Sequence, residues 1–301
     1  MQPRILPRPD ITRLGIKYRR IPILSIGRDV YLDTRLILQK LEQLTPEKNR
    51  LTAENLEHCA IERLLEVLSI DRGLFKSIVQ LMPSDIPQLK DPAFLKDRAD
   101  LLDGVMTYTA ESLAAARQQA INEVKSVVEF LETTLLSDGW EWILDTEAPS
   151  LADIEAVWPL HWISLIPGAL PPDQISAAQY PKVFSWIERF EKAASSAQSE
   201  LPESVTVLGD QAMEIIVSSL YNEIEGRVDE NDPMVEQQSL EKGQLVRVWP
   251  TDSGSKHKEL GKLVSINNEE VVIETMAGEA VVRVHAPRHG FGVYAYNEME
   301  Q

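Results

Sequence analysis

The order of apolar and polar positions divides the chain into a short mixed segment, a long helical region and a β-rich end. Near the start, the apolar runs Arg20–Leu24 and Val30–Leu32 flank a glycine-containing turn, which predicts a β-hairpin. Apolar residues then recur at helical spacing from Thr34 to Leu44 and predict a helix. Two strands and one helix are too few to close a domain. Residues 1–48 are therefore predicted to be a partial α/β domain.

Residues 49–200 are predicted to be all helical. One long helix is expected to begin near Asp97, and the last helix of the region to run from Pro181 to Ala194. Between them, Ser150-Leu151-Ala152-Asp153 has the pattern of a capping box, in which the first and fourth residues satisfy each other's backbone amides. An apolar helix face follows it.

Residues 201–241 are predicted to be a helix, from Asp210 to Ile224, and then an acidic flexible linker. Residues 242–301 change character and are predicted to form a small β barrel or sheet of five strands. The predicted strands are Leu245–Trp249, Gly261–Ile266, Glu270–Thr275, Ala280–His285 and Gly292–Tyr296. The predicted fold class is α+β with mostly helical content.

The composition and charge of the chain disfavour several classes of function. The 301 residues include 30 basic and 47 acidic side chains, a formal net charge of −17, which disfavours binding to nucleic acid or an anionic membrane. The opening residues Met1 to Arg4 do not have the pattern of a signal peptide, and we find no apolar run that would span a bilayer. A single cysteine, Cys59, excludes an internal disulfide. These features favour a soluble cytoplasmic protein.

Basic residues are crowded into the first thirty positions of this acidic chain. Two interpretations stay open, a solvated surface or a pocket for a small carboxylate ligand. The residues are Arg4, Arg8, Arg13, Lys17, Arg19, Arg20 and Arg28.

Pro22 is the first candidate for a binding role, since proline inside a strand removes a ladder donor. If the Ile21–Pro22 peptide is cis, the backbone of Ile21 faces outward and is able to pair with an extended peptide ligand. The alternative is a trans proline at the start of a strand.

Asp33-Thr34 is the second candidate, because it lies between a strand and a helix. The free helix amides and the Thr34 hydroxyl suit a carboxylate, while Asp33 suits an ammonium, so the pair matches the head group of an α-amino acid. The alternative is an ordinary helix cap.

A strand proline, a tight hairpin and an acid–hydroxyl helix start, in this order, resemble the glutathione transferase family. The resemblance implies that Ile21, Pro22, Asp33 and Thr34 hold glutathione and that Arg20, or Lys17 or Arg19 near it, meets the glycyl carboxylate. It also implies a partial thioredoxin-like domain in residues 1–48. The Ser150–Asp153 box resembles the folding motif of the family's all-helical domain. The run from Pro7 to Pro22 is similar to a fungal branch with a C-terminal extension.

In that family the catalytic Tyr, Ser or Cys lies near the end of the first strand or the start of the first helix. The first strand, the first helix and most of the second strand have no counterpart in this sequence. We therefore assign no catalytic residue and interpret Tyr18 and Tyr31 as structural. Without those strands the sheet edge at Arg20–Leu24 is exposed. We expect either a covering segment at that edge or a chain that is the truncated product of a longer reading frame.

The resemblance implies glutathione as co-substrate, a small electrophile as second substrate, and a homodimer. The reaction would be conjugation or another glutathione-dependent modification, and we expect weak or absent glutathione binding and very low turnover. The alternative is a non-catalytic scaffold or interaction protein that uses residues 242–301 as its binding element. No metal is predicted, since Cys59, His161 and the pair His285 and His289 are interpreted as structural.

Overall fold

A computed structural model of the chain describes residues 5–297. Contacts divide them into two compact units. The sheet unit contains residues 5–44, 92–107 and 205–297, and the helical unit contains residues 45–91 and 108–204. Residues 5–44 of the predicted first domain therefore lie in the same unit as residues 242–297 of the predicted β-rich segment.

Helices of the sheet unit are α1 (Pro9–Arg13), α2 (Thr34–Leu44), α5 (Pro92–Leu102), α9 (Gly209–Ser218) and α10 (Pro233–Gln238). Helices of the helical unit are α3 (Leu56–Ser69), α4 (Leu74–Gln80), α6 (Ala110–Thr133), α7 (Leu151–Ser164) and α8 (Pro181–Glu200). Strands are β1 (Ile23–Ile26), β2 (Asp29–Leu32), β3 (Leu245–Pro250), β4 (Glu259–Ile266), β5 (Glu270–Ala277), β6 (Ala280–Pro287) and β7 (Phe291–Ala295). The predicted hairpin, the α2 helix and the five C-terminal strands are confirmed, with strand bounds shifted by one to three residues.

The seven described strands form one sheet in the order β1-β2-β6-β5-β4-β3-β7. The first two strands form a hairpin with a two-residue turn, in which Ile26 is the register partner of Asp29. Strand β2 then pairs in parallel with β6, where Tyr31 faces His285. This pairing joins the two ends of the chain into one sheet. It places β1 at one edge of that sheet and β7 at the other.

The two faces of the sheet pack against different parts of the chain. One face carries the apolar side chains of Val30 and Leu32 together with those of β3 to β7, and it packs against Leu14, Ile16 and Val235. On the other face, Tyr31 packs against Leu36 and Ile37 of α2. Alternation along each strand sends neighbouring residues to opposite faces, so β2 contributes to both cores.

The helical unit is organised around the start of α7. The predicted capping box is confirmed: Ser150 donates from its backbone N (2.9 Å) and its Oγ (2.8 Å) to Asp153 Oδ2. Asp153 is fully buried, and its Oδ1 accepts from the Ile143 backbone N (3.0 Å) and from Trp186 Nε1 (2.8 Å). One carboxylate thus joins the loop before α7 to α8.

Two helix predictions were wrong. The long helix expected from Asp97 is two helices, because Asp103 (φ 40°) and Gly104 (φ 82°) take left-handed conformations that end α5. The helix expected to reach Ile224 ends at Ser218. The chain after it turns onto the hairpin, where the Arg28 backbone N donates to Leu220 O (3.1 Å).

The segment predicted to be a flexible linker contains α10. Asp232 Oδ1 accepts from the backbone N of Met234 (2.8 Å), and Pro233 occupies the first turn. Aspartate at the cap and proline at the first helical position both favour a helix start. A short acidic segment is therefore ordered here by local capping.

Candidate functional site

The Ile21–Pro22 peptide that precedes β1 is cis, which is the first of the two alternatives considered for this proline. Both residues lie just outside the strand, which begins at Ile23. The Ile21 side chain is 63% exposed.

Asp33 is held by groups of this chain. Its backbone is left-handed (φ 69°), and its Oδ1 accepts from the backbone N of Arg35 (3.2 Å) in the first turn of α2. Its Oδ2 accepts from Tyr18 OH (3.2 Å) and from Arg20 Nη1 (3.2 Å). Thr34 opens α2 and is exposed. The carboxylate predicted to bind a ligand ammonium therefore already has a cation beside it.

Arg20 links Asp33 to the loop between β3 and β4. Its Nε (3.1 Å) and Nη2 (2.9 Å) donate to Ser253 O, and Nη2 also pairs with Asp252. Three acceptors thus surround the guanidinium. The structure brings Arg20 and Asp33 into direct contact and leaves Ile21 and Thr34 exposed beside them.

The two phenols near this site both donate to carboxylates. Tyr18 OH binds Asp33, and Tyr31 OH binds Glu223 Oε1 (2.8 Å). Burial raises the pKa of Tyr18, and the charge of Asp33 adds to that effect. Burial likewise raises the pKa of Tyr31, with a further contribution from Glu223. Neither hydroxyl is arranged to donate to a ligand sulfur, which agrees with their interpretation as structural.

A buried ionic network at the β2–β6 junction was not predicted from the sequence. His285 Nε2 lies 2.9 Å from Asp29 Oδ1, and its Nδ1 lies 3.0 Å from Glu270 Oε2. Burial opposes the imidazolium, but the hydrogen bonds to Asp29 and Glu270 outweigh it, so the pKa of His285 is raised. Glu270 lies on the neighbouring strand β5, but Asp29 comes from the other end of the chain, so no local spacing could indicate the Asp29–His285 pair.

Lys40 of α2 completes this network. Its Nζ lies 2.8 Å from Glu223 Oε1 and 3.0 Å from Glu270 Oε1. Glu223, Glu270 and His285 are close enough to hold a metal ion. However, the Lys40 ammonium already pairs with both carboxylates, and both imidazole nitrogens lie against carboxylates of this chain. The donor set therefore fits a structural ion network better than a metal centre.

Most of the basic side chains near the start of the chain are bound by its own acids or carbonyls. Arg19 is buried and pairs with Asp97 (2.8 Å), and Arg8 Nη1 donates to Arg19 O (2.8 Å). Arg13 pairs with Asp210. Arg4 lies outside the described residues. These contacts leave little of the positive charge available for a carboxylate ligand.

Comparison with solved structures identifies the fold. A GST-like protein from Pseudomonas syringae aligns with 98% of this chain and 88% of its own, with a TM-score of 0.67 and 24% sequence identity. The chain has a glutathione-transferase-like fold. A glutathione S-transferase from Actinobacillus pleuropneumoniae is a weaker match, covering 64% of this chain and 79% of its own at 17% identity and a TM-score of 0.38.

The resemblance drawn from the sequence is thus confirmed for the glutathione-transferase-like fold and for the α+β class. The fungal branch stays a prediction.

A family model described as a domain of unknown function (DUF7962) matches residues 77–199, and no curated protein matches the chain. Within residues 5–297, no helix has both the length and the apolar character needed to cross a bilayer.

Proposed function

We propose that this protein is a non-catalytic interaction protein or scaffold built on the glutathione-transferase-like fold. The observation that carries the proposal is the Arg20–Asp33 ion pair (3.2 Å). By the resemblance, Asp33 would bind the ammonium of the γ-glutamyl group. A guanidinium that is also tied to Ser253 O competes for that carboxylate and lowers affinity for the ligand.

Thiol activation is a second reason for the proposal. Conjugation needs a donor that stabilises the glutathione thiolate. Tyr18 OH and Tyr31 OH donate to Asp33 and Glu223, and both phenols have raised pKa values. They offer no thiolate stabilisation.

The competing candidate is a glutathione-dependent transferase that modifies a small electrophile, with glutathione as co-substrate. The exposed Ile21 and the exposed Thr34 at the start of α2 favour it.

In either case we propose a cytoplasmic protein, and a homodimer by analogy with the family. We further propose that residues 1–48 and 49–200 form the transferase-like part, that 201–241 connect it onward, and that 242–301 carry the binding surface.

Calorimetric titration with glutathione and an assay of conjugation distinguish the two candidate functions. We expect no calorimetric binding of glutathione to the unmodified protein, and no conjugation of 1-chloro-2,4-dinitrobenzene above the buffer rate. Arg20→Gln releases Asp33 and should make glutathione binding measurable. Arg72→Gln removes an exposed arginine of the helical unit and serves as the matched control. Turnover by the unmodified protein at a rate typical of enzymes would overturn the proposal.

A further inference from the structure

One part of the sheet presents aromatic and basic side chains outward. Register places Arg247 of β3 opposite Tyr294 of β7 and Leu260 of β4, on the same face as Trp249. Tyr294 is 48% exposed and Lys262 is exposed. We call this surface the aromatic–basic face, and it consists of Arg247, Trp249, Lys258, Lys262, Tyr294 and Tyr296.

Two rings of this face pack against each other beside Gly292. Trp249 and Tyr294 stack, with ring centroids 5.1 Å apart and planes 24° apart. Gly292 makes room for them, because a Cβ there would lie 3.3 Å from the Trp249 ring and 3.4 Å from the Tyr294 ring. A rigid aromatic surface loses little conformational entropy when a partner binds.

Cations cover the rings. Lys258 Nζ lies 4.0 Å from the centroid of Trp249, and the Arg247 guanidinium lies 4.6 Å from that of Tyr296. Within residues 5–297, neither of these cations nor Lys262 has an ion-pair partner. The acid opposite Lys262 in the register, Glu274, has its Oε1 3.7 Å from Arg283 Nε. Three cations that have no ion-pair partner among residues 5–297 thus share one face of a protein whose net charge is −17.

We propose that the aromatic–basic face binds an acidic segment of a partner protein. This inference rests on the proposed interaction function and names its surface. Tyr, Trp and Arg are enriched at protein interfaces, and complementary charge gives specificity. The strongly negative charge of the whole chain disfavours a nucleic-acid backbone as the occupant.

The test is fluorescence anisotropy with a short, labelled, glutamate-rich synthetic peptide that contains leucine. We expect saturable binding that weakens with salt, and none with the same peptide carrying glutamine for glutamate. Replacing Arg247→Gln and Lys258→Gln together should weaken binding about tenfold. Lys258→Gln with Lys262→Gln is the second variant, in case the first is poorly folded. Lys48→Gln with Lys76→Gln changes net charge equally at exposed lysines of the helical unit and should leave affinity unchanged.

The assignment would be overturned if the control pair lost as much peptide affinity as the variants of the face, or if the glutamate peptide did not bind. Equal binding of the glutamine peptide, or preferential binding of oligothymidylate, would also overturn it. The glutathione assay is run on the same preparation, so the two proposals fail separately. A protein that conjugates glutathione to the electrophile and also binds the peptide would contradict only the non-catalytic function. A protein that neither conjugates glutathione nor binds the peptide would contradict only the assigned surface.

Discussion

Glu259 is a buried carboxylic acid that ties the segment before the hairpin to the sheet. Its Oε1 accepts from the Lys17 backbone N (2.8 Å), and the backbone of Tyr18 also donates to the carboxyl. Its Oε2 has no hydrogen-bond partner among the described residues. Burial raises the pKa of Glu259 to about 7, against an ordinary value of 4.5, and the backbone donors only partly offset that effect.

Glu259 should make the protein less stable as pH rises from about 4.5 to about 7. In that window the folded state binds a proton that the unfolded state has released, so the free energy of unfolding falls with pH. Glu259→Gln keeps an acceptor for Lys17 and cannot titrate. The stability of the unmodified protein relative to this variant should therefore drop by on the order of 3 kcal/mol across the window. Urea unfolding at a series of pH values measures it.

Glu279→Gln is the matched control, since it removes an exposed acid at the β5–β6 turn. A flat difference between the unmodified protein and Glu259→Gln would contradict the raised pKa. Glu259 lies two residues before the predicted strand Gly261–Ile266, and the sequence did not mark it as a candidate. Its burial depends on Lys17 and Tyr18, which lie at the other end of the chain, so the sequence could not indicate it.

At the scale of elements, the start of α7 should be the most sensitive point of the helical unit. Asp153→Ala would leave the Ile143 N, Trp186 Nε1 and Ser150 N donors without their acceptor in a buried site. Each lost partner costs about 1–3 kcal/mol, so we expect a loss of about 4 kcal/mol or more in the free energy of unfolding. Thermal and urea unfolding of the purified variant measure it.

Asp173→Ala provides the comparison, because Asp173 is an exposed acid of the same unit and its loss should change stability by less than about 0.5 kcal/mol. Similar losses in both variants would refute the central role of Asp153. The Ser150–Asp153 pairing was predictable because capping boxes are local patterns of four residues. The end of α5 was not predicted, since the left-handed Asp103 interrupts a pattern that otherwise continues.

Across the whole molecule, the strands at the two ends of the chain form one sheet. The individual strands were predictable from their apolar runs, but the parallel pairing of β2 with β6 was not, because no local pattern records which distant strand a strand will meet. That pairing places Asp29 and Tyr31 of β2 against His285 of β6, and it buries the Asp29 and His285 charges together. The β-rich end is thus a structural part of the hairpin's own unit.

Removal of residues 242–301 should therefore unfold the hairpin and leave the helical unit folded. Strand β2 would lose its pairing with β6, and Val30 and Leu32 would lose the apolar partners of β3 to β7. In hydrogen exchange followed by mass spectrometry, peptides covering β2 should then exchange at the rate of an unfolded chain, while peptides of α6 and α7 stay protected. Both regions should be protected in the full chain, which is the control. Protected β2 amides in the shortened chain would mean that residues 242–301 are a separable module.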